Sequence, residues 1–310
     1  MKIITDISEK VNIHRPVITI GTFDGIHIGH RAILKETVLR AIAAGVDSAV
    51  VTFNPHPRIV LGQAVSLLNT RDEKRSIIES TGISHLVEIP FTVEFSDLEA
   101  DEFIKLIVDT LNPSTIIIGY DHGFGRNRSG DILLMEQAGK IFGFDVVNIE
   151  AIEAEDHKIS SSVIRNLLQK GEVKSAARLL GQYYEISGSV IRGNQIGKLL
   201  GYPTANIYIE DPYKLIPSIG VYASMVSFKN HLYQGMTNIG LRPTINAHQL
   251  TIETNIFDFD EDIYYEKISV KLVERIRDEK KFENLDILRN QLKADKEATL
   301  RILNSSDSQT

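Results

Sequence analysis

The stretch GTFDGIHIGH, residues 21–30, decides the fold of the first half of this 310-residue chain. It follows the apolar run PVITIG at 16–21, which is typical of a buried strand because it is rich in β-branched residues and stops at a glycine. It leads into 29–44, where apolar residues recur at helical spacing, and Gly45 is placed to end that helix. A glycine-rich turn between a strand and a helix brings backbone N–H groups and a helix N-terminus towards an anion. The stretch therefore predicts a phosphate site.

Two histidines in this turn indicate what the site does with a phosphate. His27 and His30 are three residues apart, so they share one face of the first helical turn. Two imidazoles there can donate hydrogen bonds to a phosphoryl group that gains charge in a transition state. A metal site is the alternative for this spacing, but no third ligand of the right type lies nearby in the sequence. The position of the pair, after a strand and at a helix start, favours phosphate chemistry.

Strand and helix patterns alternate through the first 180 residues. Thr70–Glu73 and Ser96–Glu99 each fit a capping box just before a helical pattern. Strands alternating with helices of this length predict right-handed βαβ units and a parallel sheet. The further predicted strands are 48–53, 115–119 and 144–149, and the further helices are 132–142, 160–171 and 173–181.

After Gly181 the pattern changes to strands without helices between them. Lys229-Asn230-His231 predicts a hairpin loop. A series of short strands separated by turn signals predicts a small antiparallel barrel. These strands are expected at 184–192, 205–210, 220–228, 232–239, 250–259 and 267–277, followed by a charged helix at 284–303 and a polar, frayed tail. We expect two domains, 1–182 and 183–310.

Composition limits the partners of the chain. It contains no cysteine, which excludes disulfides, thiolate metal sites and cysteine nucleophiles. Its net charge of −7 argues against a duplex nucleic acid partner but not against nucleotides. It has no apolar run of the roughly 18 residues that cross a membrane. Because the N-terminus also lacks a signal-peptide pattern, we expect a cytoplasmic protein without a membrane partner, of undetermined oligomeric state.

Three more motifs of the first half have ordinary structural interpretations when each is taken alone. TFNPHP at 52–57 is a turn, because two prolines fix φ and disfavour a helix. In GYDHGFGRNRSGD at 119–131, the two arginines are compatible with solvated charge. The serines of ISSSVIR at 159–165 are first of all a helix N-cap. A cap and a phosphate site are compatible, since both use the same unpaired N–H groups.

In this order, the four motifs resemble the adenylyltransferase half of bacterial bifunctional riboflavin kinase/FAD synthetases. The resemblance implies an α/β nucleotidyltransferase domain with a Rossmann-like parallel sheet, in which His27 and His30 are catalytic. It implies ATP contacts from Gly21, Thr22, Phe23, Asp24, Gly25, Asn54, His56, Ser160, Ser161, Ser162 and Arg165. It also implies flavin contacts from Asp121, Phe124, Gly125 and Arg126. His122 and Gly123 depart from the residues found in many members.

A second glycine-rich stretch, RGNQIGKLLGYPTANI at 192–207, is not a Walker A motif. Three residues separate Gly193 from Gly197, and Leu199 stands where Ser or Thr should bind Mg²⁺. Thr204 and Asn206 are two residues apart at a strand start, so their side chains point the same way. Both offer the hard oxygen ligands that suit Mg²⁺.

GYPTAN at 201–206, NIGLRPT at 238–244, and Glu253 followed by Asp258-Phe259 resemble the riboflavin kinase barrel. The resemblance implies that Thr204 and Asn206 ligate Mg²⁺ and bind ATP together with Gly193, Gly197 and Lys198. It makes Glu253 the general base for the riboflavin 5′-hydroxyl, and it implies flavin contacts from Arg242, Arg275 and Arg277. Taken alone, Glu253 is more typical of a solvent-facing strand residue, and the charges at 275–281 of a solvated approach to a helix.

The resemblance as a whole implies a bifunctional enzyme whose small-molecule partners are ATP, riboflavin, FMN and FAD. It would phosphorylate riboflavin in the C-terminal domain and adenylylate FMN in the N-terminal domain. Three alternatives remain: an enzyme with one decayed domain, a different nucleotidyltransferase, and a non-catalytic flavin-binding protein. The presence of His27, His30, Thr204, Asn206 and Glu253 weighs against the first and third.

Overall fold

The computed structural model describes residues 1–7, 11–120, 122–150, 153–154, 157–193, 196–243 and 248–306. The chain packs as two compact units, Met1–Ser160 and Ser161–Thr310, here called the N-terminal and C-terminal units. The strands are β1 (Lys2–Ile4), β2 (Val17–Ile20), β3 (Ser48–Asn54), β4 (His85–Pro90), β5 (Thr115–Gly119), β6 (Asp145–Ile149), β7 (Glu153–Ala154), β8 (His157–Lys158), β9 (Tyr184–Ile191), β10 (Ala205–Tyr208), β11 (Gly220–Phe228), β12 (His231–Pro243), β13 (His248–Ile256) and β14 (Lys267–Arg277). The helices are α1 (Ile28–Ala44), α2 (Pro57–Val60), α3 (Arg71–Ser80), α4 (Val93–Ser96), α5 (Ala100–Leu111), α6 (Ile132–Phe142), α7 (Ser161–Gln169), α8 (Val173–Leu180), α9 (Ile196–Leu199) and α10 (Leu285–Ser306), with a 3₁₀ turn at Arg126–Arg128.

The N-terminal unit is built on a parallel sheet in the order β1-β4-β3-β2-β5-β6. The chain runs from β2 outward to β3 and β4, and then returns to place β5 on the other side of β2. The strand order therefore reverses between β2 and β5, and the crevice at the carboxyl ends of such strands is where open α/β sheets bind ligands. The 21–30 turn follows β2 and the 119–131 motif follows β5, so both motifs begin at this crevice.

Local signals explain the helix that follows the turn. α1 begins after His27, whose side chain caps it, and ends at Gly45 with φ 67°. A left-handed residue at this place favours glycine. The helix packs on β2, β3 and β5, and its buried face carries Leu34, Thr37 and Ala41.

Three local predictions needed correction. The capping box of α5 is formed by Glu99 and Glu102, and Ser96 instead ends the short helix α4, where its hydroxyl donates to the Val93 carbonyl. The turn at 54–57 continues into a helix, since Pro57 occupies a first-turn position in which proline is tolerated. The C-terminal helix continues through Ser306 instead of ending at 303, and residues 307–310 of the predicted frayed tail lie outside the described residues.

The C-terminal unit contains a closed antiparallel barrel in the order β10-β13-β12-β11-β14-β9. Helix α10 packs on β11, β12 and β14, and α8 packs on β14 and β9. The predicted fold class, a Rossmann-like α/β domain followed by a small antiparallel barrel with a C-terminal helix, is confirmed.

The units divide the chain after Ser160, so α7 and α8 pack with the barrel. The functional boundary at 182/183 stays a prediction. Within the described residues, no helix has the length and apolar character needed to cross a membrane.

Candidate active sites

The turn between β2 and α1 has an unusual backbone. Phe23, Gly25 and Ile26 have φ values of 48°, 89° and 33°. Non-glycine residues in the left-handed region cost about 1–3 kcal/mol each, so they persist only where their surroundings hold them. A Cβ on Gly25 would lie 2.4 Å from Leu68 Cδ1. The turn therefore packs closely against the segment that contains Leu68.

Two side chains of the turn point into the N-terminal unit. Phe23 is 2% exposed and meets the ring of His30 edge to face at 5.3 Å. Asp24 is 5% exposed, and its Oδ1 accepts hydrogen bonds from the backbone of Leu68 at 2.8 Å and of Asn69 at 3.4 Å. Both side chains thus have structural roles, and their contact with ATP stays a prediction, as do the ATP contacts of Gly21, Thr22 and Gly25.

His27 and His30 lie together as their spacing predicts. Their rings stack with centroids 3.8 Å apart. His27 Nδ1 accepts a hydrogen bond from the backbone N–H of His30 at 3.3 Å, so in the neutral ring the proton is on Nε2, a donor. Burial, and then the neighbouring His27, lower the pKa of His30 well below 6.5. His30 is therefore neutral at pH 7, and its buried Nδ1 has no hydrogen-bond partner among the described residues.

The other predicted ATP residues are spread over both units. Asn54 ends β3, next to β2, and His56 caps α2 by accepting a hydrogen bond from the backbone of Arg58 at 3.1 Å. Ser160 closes the N-terminal unit, whereas Ser161, Ser162 and Arg165 begin α7 of the C-terminal unit. Their closure over the ATP triphosphate stays a prediction.

Phe124, one of the predicted flavin residues of the N-terminal unit, belongs to a cluster of phenylalanines. Phe124 is 6% exposed and lies 5.7 Å from Phe103, which in turn contacts Phe53 and Phe95. Phe53 also lies 5.6 Å from Phe91, just beyond β4. The cluster thus joins the carboxyl ends of neighbouring strands. Phe124 was among the predicted flavin residues and the other phenylalanines were not, although aromatic residues at strand ends were a usable signal.

The remaining predicted flavin residues of this unit are Gly125, Arg126 and Asp121. A Cβ on Gly125 would lie 2.6 Å from Ala100 Cα, so the loop packs against the start of α5. Arg126 Nη1 donates to Glu99 at 3.5 Å, in an exposed pair. Asp121 lies outside the described residues. Flavin contacts at these positions stay predictions.

In the barrel, Glu253 stands in the middle of a polar row. It is in register with Asn206 of β10 on one side and Asn238 of β12 on the other. Residues directly opposite each other in a sheet point to the same face. Thr254, the next residue, is fully buried on the other face, whereas the Glu253 side chain is 26% exposed. The row therefore lies on the outer face of the barrel. Asn238 was not among the predicted site residues.

An arginine holds this carboxylate. Arg242 Nη2 donates to Glu253 Oε1 at 2.6 Å. The family resemblance implies that Arg242 contacts the flavin, and this stays a prediction; in the structure Arg242 lies beside the candidate base. The pairing joins neighbouring strands, so no local sequence signal could have found it.

The glycines of the 192–207 stretch pack against Thr204 and Asn206. A Cβ on Gly193 would lie 2.3 Å from Asn206 Nδ2, and one on Gly197 would lie 3.4 Å from Thr204 Cγ2. Asn255 Nδ2 donates to the carbonyl of Pro203 at 2.6 Å, which fixes the start of the motif. Any side chain at Gly193 would displace the Asn206 amide, which explains the need for glycine at this close approach. Lys198, on α9, is exposed.

Two arginines predicted to contact flavin have structural partners. Arg277 donates to Asp295 of α10 through Nε and Nη2 at 2.7–3.1 Å, and both side chains are largely buried. Arg275 donates through Nη2 to the Ile219 carbonyl at 2.5 Å and pairs with Asp278 at 2.7 Å. Their contact with flavin stays a prediction.

The metal alternative for the histidine pair has no structural support. In the part of the chain that the structure describes, no group of three or more His, Cys, Asp or Glu side chains is placed to hold a metal ion. The predicted Mg²⁺ ligands, Thr204 and Asn206, are of a different type, a hydroxyl and an amide.

Known proteins match the chain over both units. Family models described as FAD synthetase and as riboflavin kinase match residues 9–163 and 180–303. Proteins named bifunctional riboflavin kinase/FMN adenylyltransferase match from Bacillus subtilis (35% identity, 93% of this chain and 92% of the relative), from Buchnera aphidicola of Schizaphis graminum (37%, 98% and 99%) and from Escherichia coli K12 (33%, 90% and 90%). A crystal structure described as a macrolide-efflux protein from Streptococcus pneumoniae is similar, with a TM-score of 0.86, 32% identity and coverage of 96% of this chain and 99% of the other.

Proposed function

The chain belongs to the family of bifunctional riboflavin kinase/FMN adenylyltransferases, and from this premise we propose which residues carry out its two reactions. It transfers the γ-phosphoryl group of ATP to riboflavin, which gives FMN, in its C-terminal part. It transfers the adenylyl group of a second ATP to FMN in its N-terminal part, which gives FAD and pyrophosphate. A cytoplasmic location belongs to the proposal.

In the adenylylation step, we assign charge stabilisation to the stacked histidines. An oxygen of the FMN phosphate attacks the α-phosphorus of ATP, and the bond to pyrophosphate breaks. His27 Nε2–H and the neutral His30 ring donate hydrogen bonds to the phosphoryl oxygens as their charge grows. The single observation that supports this role is the His30 Nδ1 atom, which is buried without a partner among the described residues and which a phosphate oxygen would satisfy.

The phenylalanine cluster is proposed to receive the flavin ring. Phe53, Phe91 and Phe95 are partly exposed at the carboxyl ends of β3 and β4, next to the crevice. Aromatic faces stack on flat apolar ring systems. The ring would then lie on this cluster while its phosphate points towards the histidines.

In the kinase step, Glu253 is the proposed general base. Its carboxylate accepts the proton of the riboflavin 5′-hydroxyl while that oxygen attacks the γ-phosphorus of ATP and ADP leaves. Because Arg242 donates a hydrogen bond to Glu253 Oε1, we assign proton acceptance to the other carboxylate oxygen, Oε2. The observation that supports this role is the register of Glu253 with Asn206, which places base and proposed ATP ligand side by side.

Thr204 and Asn206 fit a Mg²⁺ ion. The Asn206 amide packs against Gly193, where there is no room for a side chain. Thr204 packs against Gly197. When bound, the ion would neutralise charge on the ATP phosphates. Gly193, Gly197 and Lys198 would complete the ATP site.

The two assignments are tested in one chain by following riboflavin, FMN and FAD by HPLC, with ATP and Mg²⁺ present. One reaction starts from riboflavin and a second from FMN. The wild type should make FMN and then FAD in the first reaction. His27→Ala should stop at FMN, and Glu253→Gln should make FAD only when supplied with FMN.

Opposite outcomes would reject individual roles. If Glu253→Gln still phosphorylates riboflavin at the wild-type rate, Glu253 is not the base. If His27→Ala still makes FAD at the wild-type rate, the histidine assignment is wrong.

A further inference from the structure

The turn between β2 and α1 is held by residues 68–74, which lie about 45 residues further along the chain. Asp24 of the turn accepts the backbone N–H groups of Leu68 and Asn69, and Asn69 Oδ1 accepts the N–H of Gly25 at 2.9 Å. These reciprocal bonds fix the middle of the turn.

The start of the turn is fixed by a lysine. Lys74, in the first turns of α3, donates from Nζ to the Thr22 carbonyl at 3.1 Å. The same carbonyl accepts the Thr52 hydroxyl at 3.3 Å. Thr22 precedes Phe23, which is the first residue of the turn with a positive φ. These bonds therefore act where the turn enters its strained conformation.

A half-buried lysine needs a reason. The Lys74 side chain is only partly exposed, and this partial burial lowers the pKa of its ammonium group. Burial of a cation is costly unless it is paired or hydrogen-bonded. The charged groups around it are Asp24 and Glu88, which favour the charged form, and Arg71 and Arg75, which oppose it.

The neighbouring arginines are engaged elsewhere. Arg71 and Arg75 both donate to the buried carboxylate of Glu88, at 2.5–3.0 Å. That arrangement ties α3 to β4. Lys74, between them in sequence, instead reaches the catalytic turn.

We propose that Lys74 is a positioning residue for FMN adenylylation, which holds the Thr22 carbonyl so that the turn presents the start of α1 and its two histidines to ATP. Lys74 does not itself contact the reacting atoms. Its removal leaves the fold intact but lets the turn relax from its strained conformation. This assignment rests on the proposed role of the histidines, which His27→Ala tests separately.

The central test is Lys74→Met, which keeps the length and apolar stem but removes the donor. We expect kcat/KM for FAD formation from FMN to fall about 10–100-fold, because small misplacements of catalytic groups have effects of this size. The fall should lie mainly in kcat, with the KM for FMN little changed. Riboflavin phosphorylation by the same chain should be unchanged; it reports the amount of protein and the folding of the C-terminal unit, while the melting temperature reports the folding of the N-terminal unit.

The matched control is Lys140→Met, an exposed lysine on α6 of the same unit. It should leave both activities at the wild-type level. Wild-type FAD formation by Lys74→Met would overturn the proposal. A loss of FAD formation that comes with a lowered melting temperature and is restored at a lower assay temperature would also overturn it and make Lys74 a stabilising residue only.

A double-mutant cycle with Asn69→Ala keeps the test decisive if Lys74→Met is poorly stable. Asn69 holds the same turn through Gly25, so the two substitutions should be less than multiplicative in their effect on FAD formation. Independent, multiplicative effects would show that Lys74 does not act through the turn.

Discussion

The His30 ring couples the stability of the turn between β2 and α1 to pH through its lowered pKa. Between that lowered value and 6.5, the unfolded chain binds a proton that the folded chain does not. The free energy of unfolding therefore falls as the pH drops below about 6.5. When the pH is lowered from about 7.5 to about 5.5, we expect the free energy of unfolding to fall less for His30→Gln than for the wild type, as measured by urea unfolding. Equal losses in the two proteins would contradict this account.

Gly25 is the residue of the turn at which substitution should be least tolerated. Alanine there must adopt a φ of 89° and place its Cβ 2.4 Å from Leu68 Cδ1. Gly62→Ala is the matched control, since Gly62 has a φ of 66° with nothing within 4 Å of its Cβ. The control should cost about 1 kcal/mol in unfolding free energy. Gly25→Ala should lower the unfolding free energy by about 1–3 kcal/mol more than the control does, and it should reduce FAD formation. Equal losses of unfolding free energy in the two variants would show that the contact with Leu68 relaxes freely.

At the scale of elements, a largely buried ion pair joins α10 to the barrel. Asp295 is 1% exposed and binds Arg277 of β14. Removal of one partner of a buried pair leaves an uncompensated charge, so Asp295→Ala should cost about 3–5 kcal/mol in unfolding free energy. Asp286→Ala on the same helix removes an exposed, weak pair with Arg289 and should cost less than about 1 kcal/mol. Similar costs for the two variants, by thermal or urea unfolding, would refute the structural role of Asp295.

Elements with strong local signals were predictable and those without were not. The bounds of β11 and β14 agree with the predicted strands, because each is a long run that ends at turn residues. β1 and β4 were missed: β1 has three residues, whereas β4 has a local signal that was overlooked, since Gly82 separates it from α3 and Pro90 ends it. Their place in the sheet depends on the pairing of β1 with β4 and of β4 with β3, which only the folded chain supplies.

The same limit applies to the site. The histidine pair and the Thr204–Asn206 pair could be predicted because each is set by local spacing. The contacts of Lys74 with Thr22 and of Arg242 with Glu253 join separate elements, so spacing does not reveal them. The contact of Arg277 with Asp295 also joins distant elements, whereas the flavin contact that the family resemblance implies for Arg277 stays a prediction.

For the whole molecule, each compact unit has its own hydrophobic core. We therefore expect the two activities to fail separately in urea, because units with their own cores need not unfold together. Asp295→Ala should lower the urea concentration at which riboflavin phosphorylation is lost, with a much smaller shift for FAD formation from FMN. Coincident shifts of both activities would show that the chain unfolds as one cooperative body.

The register of β13 has a consequence for how this sequence can vary over evolutionary time. Glu253 faces outward beside Asn206, while its neighbour Thr254 joins Thr237 and Ser224 in a hydrogen-bonded chain inside the barrel. Deletion of a single residue within the strand would exchange the two faces, so that the carboxylate entered the interior of the barrel and the threonine hydroxyl took its place on the outer face. Insertions and deletions in this half of the gene should therefore be confined to the loops, while the strand keeps its length even where its residues change.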